Sequence, residues 1–198
     1  MDDGSADSTA ALVTAAASRI RGIRLVPQPH RGKGHAVRVG MQTATGEYRF
    51  QCDADLSMPI EQLARFLPPE FPGPGIAIGS RSAPGARRIG EPPVRKLMGR
   101  VFSLLVRLGG AGLGDTQCGF KCFAGHEAHS LFRLQRLDGF GSDVEVLYLA
   151  RRAGVPVLEA PIEWHYRSGS KVRPFRDTLR MLADLIAIRL NALRGRYH

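Results

Sequence analysis

Acidic residues are scarce in this chain: 18 Asp and Glu against 28 Lys and Arg leave a net charge of +10 over 198 residues. Such an excess calls for an anionic partner, whether nucleotide phosphate, lipid phosphate, a membrane surface or nucleic acid. Aromatic residues are also few, at 7%, and no stacking motif accompanies the scattered arginines, which argues against nucleic acid. Only three cysteines occur, Cys52, Cys118 and Cys122. They make no even-numbered disulfide framework, so a reducing compartment is expected. Cys118 and Cys122 lack a second ligand pair at finger spacing, which argues against a zinc site. No apolar run reaches about 18 residues, so no bilayer-spanning segment is expected. The polar, acidic start does not read as a signal peptide.

What is present is ordinary for a globular domain: 43% apolar and 23% charged residues, in a chain long enough for one core. Helical and strand-like segments alternate, which implies an α/β layered fold. Asp7 or Ser8 can cap a helix over Thr9 to Arg19. Ile23 to Val26 reads as a strand, His35 to Thr43 as a helix and Glu47 to Cys52 as a strand. Pro59 opens a helix running to Leu67, since proline suits a first helical position. Ile76 to Gly79 is a short buried strand. Arg95 to Leu108 is an amphipathic helix, and Phe120 to Phe123 a strand. His126 to Leu134 and Asp143 to Ala153 are helices, Val155 to Trp164 has strand character, and Pro174 to Arg194 is a long helix rich in arginine.

The strand ending at Cys52 delivers two carboxylates, Asp53 and Asp55, at an i, i+2 spacing that points both the same way on an extended chain. Ligands of open α/β sheets bind beyond the carboxyl ends of strands. Two carboxylates there suit Mg²⁺ or Mn²⁺, which fill the rest of their shell with substrate phosphate and water. A solvated turn explains the same residues.

Five segments in order sharpen the choice: Asp2-Asp3-Gly4-Ser5, Arg31-Gly32-Lys33-Gly34, Asp53-Ala54-Asp55-Leu56-Ser57, Asp115-Thr116-Gln117-Cys118-Gly119-Phe120-Lys121 and Gly169-Ser170-Lys171. Together they resemble the family-two glycosyltransferases of GT-A fold that load a sugar onto a polyprenyl phosphate, most closely the dolichyl-phosphate β-glucosyltransferase type. The resemblance implies an α/β, Rossmann-like sheet with helices on both faces. It also implies glucose transfer from UDP-glucose, with inversion, to a polyprenyl phosphate. A mannosyltransferase using GDP-mannose is the near alternative, and an inactive remnant acting only in binding is another.

The family opens with a strand, a turn, a helix and a second strand before its Asp-Asp-Gly-Ser turn. A βαβ unit takes roughly 30 residues, so about that much is expected ahead of Met1. Gly114 stands where the glucosyl relatives often carry Arg.

The resemblance also assigns roles. Asp53 and Asp55 become the metal and ribose–diphosphate residues, Asp55 the direct ligand of Mg²⁺ or Mn²⁺. Asp3 meets the nucleotide, or else only caps a helix. Lys33, between two glycines, approaches phosphate, or is an exposed loop lysine. Arg81 binds the acceptor phosphate, or is a surface arginine. Asp115 and Gln117 fall in the acceptor-side motif, where Asp115 has a structural reading too. Asp143 matches the carboxylate facing the acceptor, or is the N-cap of its helix. Arg167, Ser170 and Lys171 form a basic loop closing over the diphosphate, with Ser170 toward the acceptor phosphate, or are only a solvated charged loop.

The two arginine-edged helices can lie in a bilayer interface against anionic headgroups. The same stripes could pack on the sheet or form a homodimer contact. The expected division is a transferase domain over residues 1–173 and an amphipathic helix over 174–198, peripheral on the cytoplasmic face of a membrane.

Overall fold

A computed structural model gives the architecture; it describes residues 1–71, 73, 75–93, 96, 99, 106, 112–167 and 174–198. Helix α1 (Thr9–Ala17) is followed by α2 (Lys33–Thr43), strand β1 (Tyr48–Cys52), a 3₁₀ helix (Ile60–Phe66), β2 (Ile76–Ser80) and β3 (Arg87–Ile89). Then come β4 (Phe120–Ala124), α3 (Gly125–Leu134), α4 (Ser142–Arg152), β5 (Val157–Pro161), β6 (Glu163–His165) and α5 (Pro174–Leu193).

The main sheet has the order β1-β4-β2-β5. Strand β4 runs antiparallel to both β1 and β2, while β2 and β5 are parallel. That reversal matters for the site. Cys52 at the end of β1 pairs with Phe120 at the start of β4. The chain entering β4 therefore meets the chain leaving β1 and β2 at one edge.

Strand alternation sorts the apolar residues onto two faces. Ile76, Ile78 and Phe123 pack with Leu131, Phe132 and Leu147 under α3 and α4. Ala77, Phe120 and Cys122 pack with Phe66, Phe71 and Trp164 on the other face. There Phe50, Phe66 and Phe120 meet edge to face, with centroids 4.5 to 5.9 Å apart. A third cluster joins Val106, Val144, Met181 and Ile188, and so ties α5 to α4. The opposite side of α5 leaves Leu179, Ile186, Leu190 and Leu193 exposed. Among the described residues, no helix is long and apolar enough to cross a membrane.

Several expectations change. Ile23 to Val26 forms no strand. Asp2 and Pro27 make one isolated parallel bridge there, since proline has no N–H to extend a ladder. The helix expected after Pro59 is tightened to 3₁₀ and stops ahead of Pro68-Pro69. Val155 to Trp164 is two strands, because the ladder with β2 ends at Pro161 and β6 turns to pair with β3. Strand β3, an Arg-Arg-Ile run, carries no apolar alternation that would have revealed it. Helix α2 starts two residues earlier than expected, at Lys33. The amphipathic stretch Arg95 to Leu108 lies outside the described residues apart from Lys96, Gly99 and Val106. The outer side of β1 faces a cleft of about 710 Å³, bounded by α2 and the segment Gly22 to Val26.

Candidate active site

Strand β1 leads straight into Asp53, whose carboxylate pairs with Lys33 Nζ at 3.0 Å. Lys33 also lies 3.8 Å from Asp143, and Asp143 takes a hydrogen bond from Lys121 Nζ at 2.5 Å. The four side chains thus alternate in sign: Asp53, Lys33, Asp143, Lys121. Lys121 and Asp143 are buried, at 1% and 7% exposure. Burial alone would push the Asp143 carboxyl up, but the Lys121 and Lys33 ammonium groups outweigh it and hold the acid below its ordinary value. Burial would push Lys33 down, and Asp143 and Asp53 outweigh it to raise the amine. Both groups are therefore charged at neutral pH.

The glycines around this group make room for it. Gly32 takes φ +120°, and a Cβ there would sit 2.6 Å from the Asp138 carbonyl oxygen. A Cβ at Gly34 would collide with the Ser142 side chain, and one at Gly119 would overlap the Asp53 carboxylate. Asp3 folds onto the same loop: its carboxylate accepts the Arg31 N–H at 2.9 Å and the Gly32 N–H at 3.0 Å, and pairs with His30 at 2.9 Å. Burial pushes Asp3 up, but those N–H groups and His30 bring it below its ordinary value. Asp3 is thus a clamp on the Lys33 loop.

A second centre lies at the ends of β2 and β4. Arg81 grips Asp115 with Nε at 2.6 Å and Nη2 at 2.9 Å, and its backbone N–H adds a third bond at 3.0 Å. Arg81 also stacks 5.4 Å over the Trp164 ring. Burial is again outweighed, and Arg81 holds Asp115 below its ordinary value. The Gln117 amide reaches the Phe140 carbonyl at 3.4 Å, just ahead of α4. Lys121 links the two centres, donating to the Cys118 carbonyl at 2.6 Å as well as to Asp143. Cys118 is buried, its thiol pushed up to about 12 by burial.

Asp55 stays exposed in the turn after β1, where its Oδ1 accepts the Ser57 N–H at 2.9 Å and Leu56 adopts φ +52°. Arg167 is exposed after β6, and Ser170 and Lys171 lie outside the described residues. Among the described residues, no three His, Cys, Asp or Glu side chains converge to hold a metal ion. Asp53 is taken up by Lys33 and Asp55 by the Ser57 N–H, but both carry the hard oxygen donors that a divalent cation such as Mg²⁺ prefers, and such an ion needs only one or two protein oxygens when a diphosphate supplies others.

Lys121 was not singled out from sequence as a site residue. The signal was there: a lone lysine in the apolar run Phe120-Lys121-Cys122-Phe123 must find a buried anion. Asp138, which accepts Arg38 at 2.8 Å and Arg31 at 3.1 Å, gave no such signal.

The model of the family described as Glycosyl transferase family 2 matches residues 1–123. This chain belongs to glycosyl transferase family 2. Among curated relatives of this family-2 chain, a dolichyl-phosphate β-glucosyltransferase of Homo sapiens is 36% identical over 208 residues, covering 98% of this chain and 64% of the relative. One of Dictyostelium discoideum is 34% identical, covering 98% and 63%. The chain thus spans a little under two thirds of the length of those relatives. Mannosyl-3-phosphoglycerate synthase from Rubrobacter xylanophilus superposes with a TM-score of 0.64 at 20% identity, covering 99% of this chain and 63% of that one. Glucosyl-3-phosphoglycerate synthase from Mycobacterium tuberculosis, in complex with Mn²⁺, UDP and glucosyl-3-phosphoglycerate, gives 0.62 at 18%, covering 95% and 67%. These likenesses establish the GT-A fold.

Proposed function

We propose that this family-2 chain carries the catalytic body of an enzyme that moves glucose from UDP-glucose to a polyprenyl phosphate of dolichyl type, with inversion. The observation that supports this most is the alternating Asp53–Lys33–Asp143–Lys121 group at the carboxyl end of β1, in a chain whose relatives are named dolichyl-phosphate β-glucosyltransferases. The acceptor phosphate monoester has its second pKa near 6 and is mostly dianionic at neutral pH, so it needs placing more than deprotonating. One of its oxygens attacks the anomeric carbon on the face opposite UDP. The new C–O bond forms as the old one breaks, and the electron pair leaves with UDP.

Lys33 supplies fixed positive charge to the departing diphosphate. Asp143, held ionised by Lys121, keeps Lys33 aimed. Asp53 and Asp55 would hold Mg²⁺ or Mn²⁺, which when bound neutralises negative charge on the diphosphate. Arg81 is committed to Asp115, so its part in acceptor binding is to fix the edge on which Gln117 meets the acceptor phosphate; by family likeness Ser170 would serve the acceptor too, and Arg167 and Lys171 the diphosphate. Asp3 acts on the nucleotide side by clamping the Lys33 loop. The exposed leucines and Ile186 of α5, edged by arginines, would rest on an anionic membrane on its cytoplasmic side or against a second copy.

A donor screen tests the reading. The chain, joined to the remaining length its relatives possess, is given UDP-glucose or GDP-mannose with Mn²⁺ and a short-chain polyprenyl phosphate. Lipid-linked glucose is expected, and Lys33→Ala is expected to lower kcat/KM by about 100-fold. Wild-type turnover in Lys33→Ala, or transfer of mannose alone, would refute it.

A further inference from the structure

Besides Asp3, the loop that carries Lys33 leans on the segment Gln135 to Asp138. The Asp138 carbonyl accepts the His35 N–H at 3.2 Å and fills the space a side chain at Gly32 would need. The Asp138 carboxylate binds Arg31 and Arg38. Gln135 donates to the Gly34 carbonyl at 2.9 Å. The other side of this segment is held from the end of α5. Arg136 and Leu137 give their N–H groups to Glu145 Oε2 at 3.0 and 2.8 Å. Glu145 Oε1 accepts the Tyr197 hydroxyl at 2.6 Å, with Glu145 at 0% and Tyr197 at 5% exposure. The Arg136 guanidinium adds two bonds to the Arg196 carbonyl, at 3.0 and 2.7 Å.

We infer that Tyr197 is a positioning residue for Lys33. It acts through Glu145 and the Gln135–Asp138 segment, so the tail beyond α5 sets the geometry of the loop on the diphosphate side of the site. The segment is held from both sides. Releasing the Tyr197 side lets Arg136 and Leu137 drift, and Asp138 drifts with them. The value of this coupling to catalysis rests on the role proposed for Lys33; the coupling itself does not.

The test is Tyr197→Phe in the 198-residue chain, with Glu145→Gln as the conservative partner, since an amide oxygen still accepts the two N–H groups and its NH₂ can donate to the Tyr197 oxygen. Amide NMR and hydrogen exchange are read at Gly32, Gly34 and His35, and UDP affinity is measured with Mn²⁺. In Tyr197→Phe the Gly32 and Gly34 resonances should shift, and exchange at His35 should rise about 10-fold. UDP binding should weaken by about 3- to 10-fold, on the scale of one ordinary hydrogen bond. Glu145→Gln should preserve all three. If changes stop at Arg136, Leu137 and the tail, the inference is overturned. Movement at Gly32 and Gly34 with unaltered UDP affinity upholds the coupling and removes Lys33 from the proposed chemistry. If Tyr197→Phe does not fold, Arg136→Ala removes the tail's other hold on this segment, the two bonds to the Arg196 carbonyl, and is read the same way.

Discussion

Asp143 and Glu145 sit two residues apart in the first turn of α4, both buried, yet their acidities move in opposite directions. Burial pushes each one up. For Asp143 two ammonium groups reverse the sign. For Glu145 the hydrogen-bond partners are the Tyr197 hydroxyl and two backbone N–H groups, all neutral, and even with the weaker pull of the Arg38 guanidinium they do not overcome burial, so that acid stays raised. Burial does not by itself decide whether a carboxylate is an electrostatic tool or a structural peg. The charge of what faces it does.

The strongest way to break the contrast is Lys121→Met. It strands Asp143 in the interior with only the more distant Lys33. Loss of one partner of a buried pair should cost about 3–5 kcal/mol of stability, measured by urea unfolding. Asp143→Asn added to Lys121→Met should recover much of that loss. Glu145→Gln should cost far less, about 1 kcal/mol or below, because no buried cation is orphaned and the hydrogen bonds survive.

The smallest effect is in the pH dependence. Asp143 has a folded pKa below 3.8, so its contribution is full above that value and is lost as pH falls through the folded pKa. Glu145 has a folded pKa above 4.5, so its ionisation disfavours the fold, and that penalty fades as pH drops through its folded pKa toward 4.5. Chemical unfolding between pH 7 and 4.5 should show wild type gaining on Glu145→Gln. Parallel curves would mean that Glu145 is not raised.

How much of this was readable beforehand differs by residue. The end of β1 was legible, because a strand pattern closing on Asp-x-Asp is local in sequence. Lys33 was legible through its flanking glycines, although the structure gives those glycines a more specific reason: Gly32 yields to the Asp138 carbonyl and Gly34 to Ser142. The grip of Arg81 on Asp115 was not legible, since it joins residues 34 apart and depends on β4 running backward into the sheet. The same holds for Lys121 and Asp143, and for Tyr197 reaching Glu145 across 52 positions. Local chemistry announces itself in a sequence. Pairing across a sheet edge waits for topology.

The Arg81–Asp115 pair has one more consequence. The polypeptide leaves the sheet at one of these residues and returns at the other, so the ion pair closes the neck of a long excursion. Closing such a loop depends only weakly on its size, each doubling adding about 0.6 kcal/mol. Insertions or deletions within the excursion can therefore reshape whatever it contacts and leave the two strand ends, and the charges they carry, where they are.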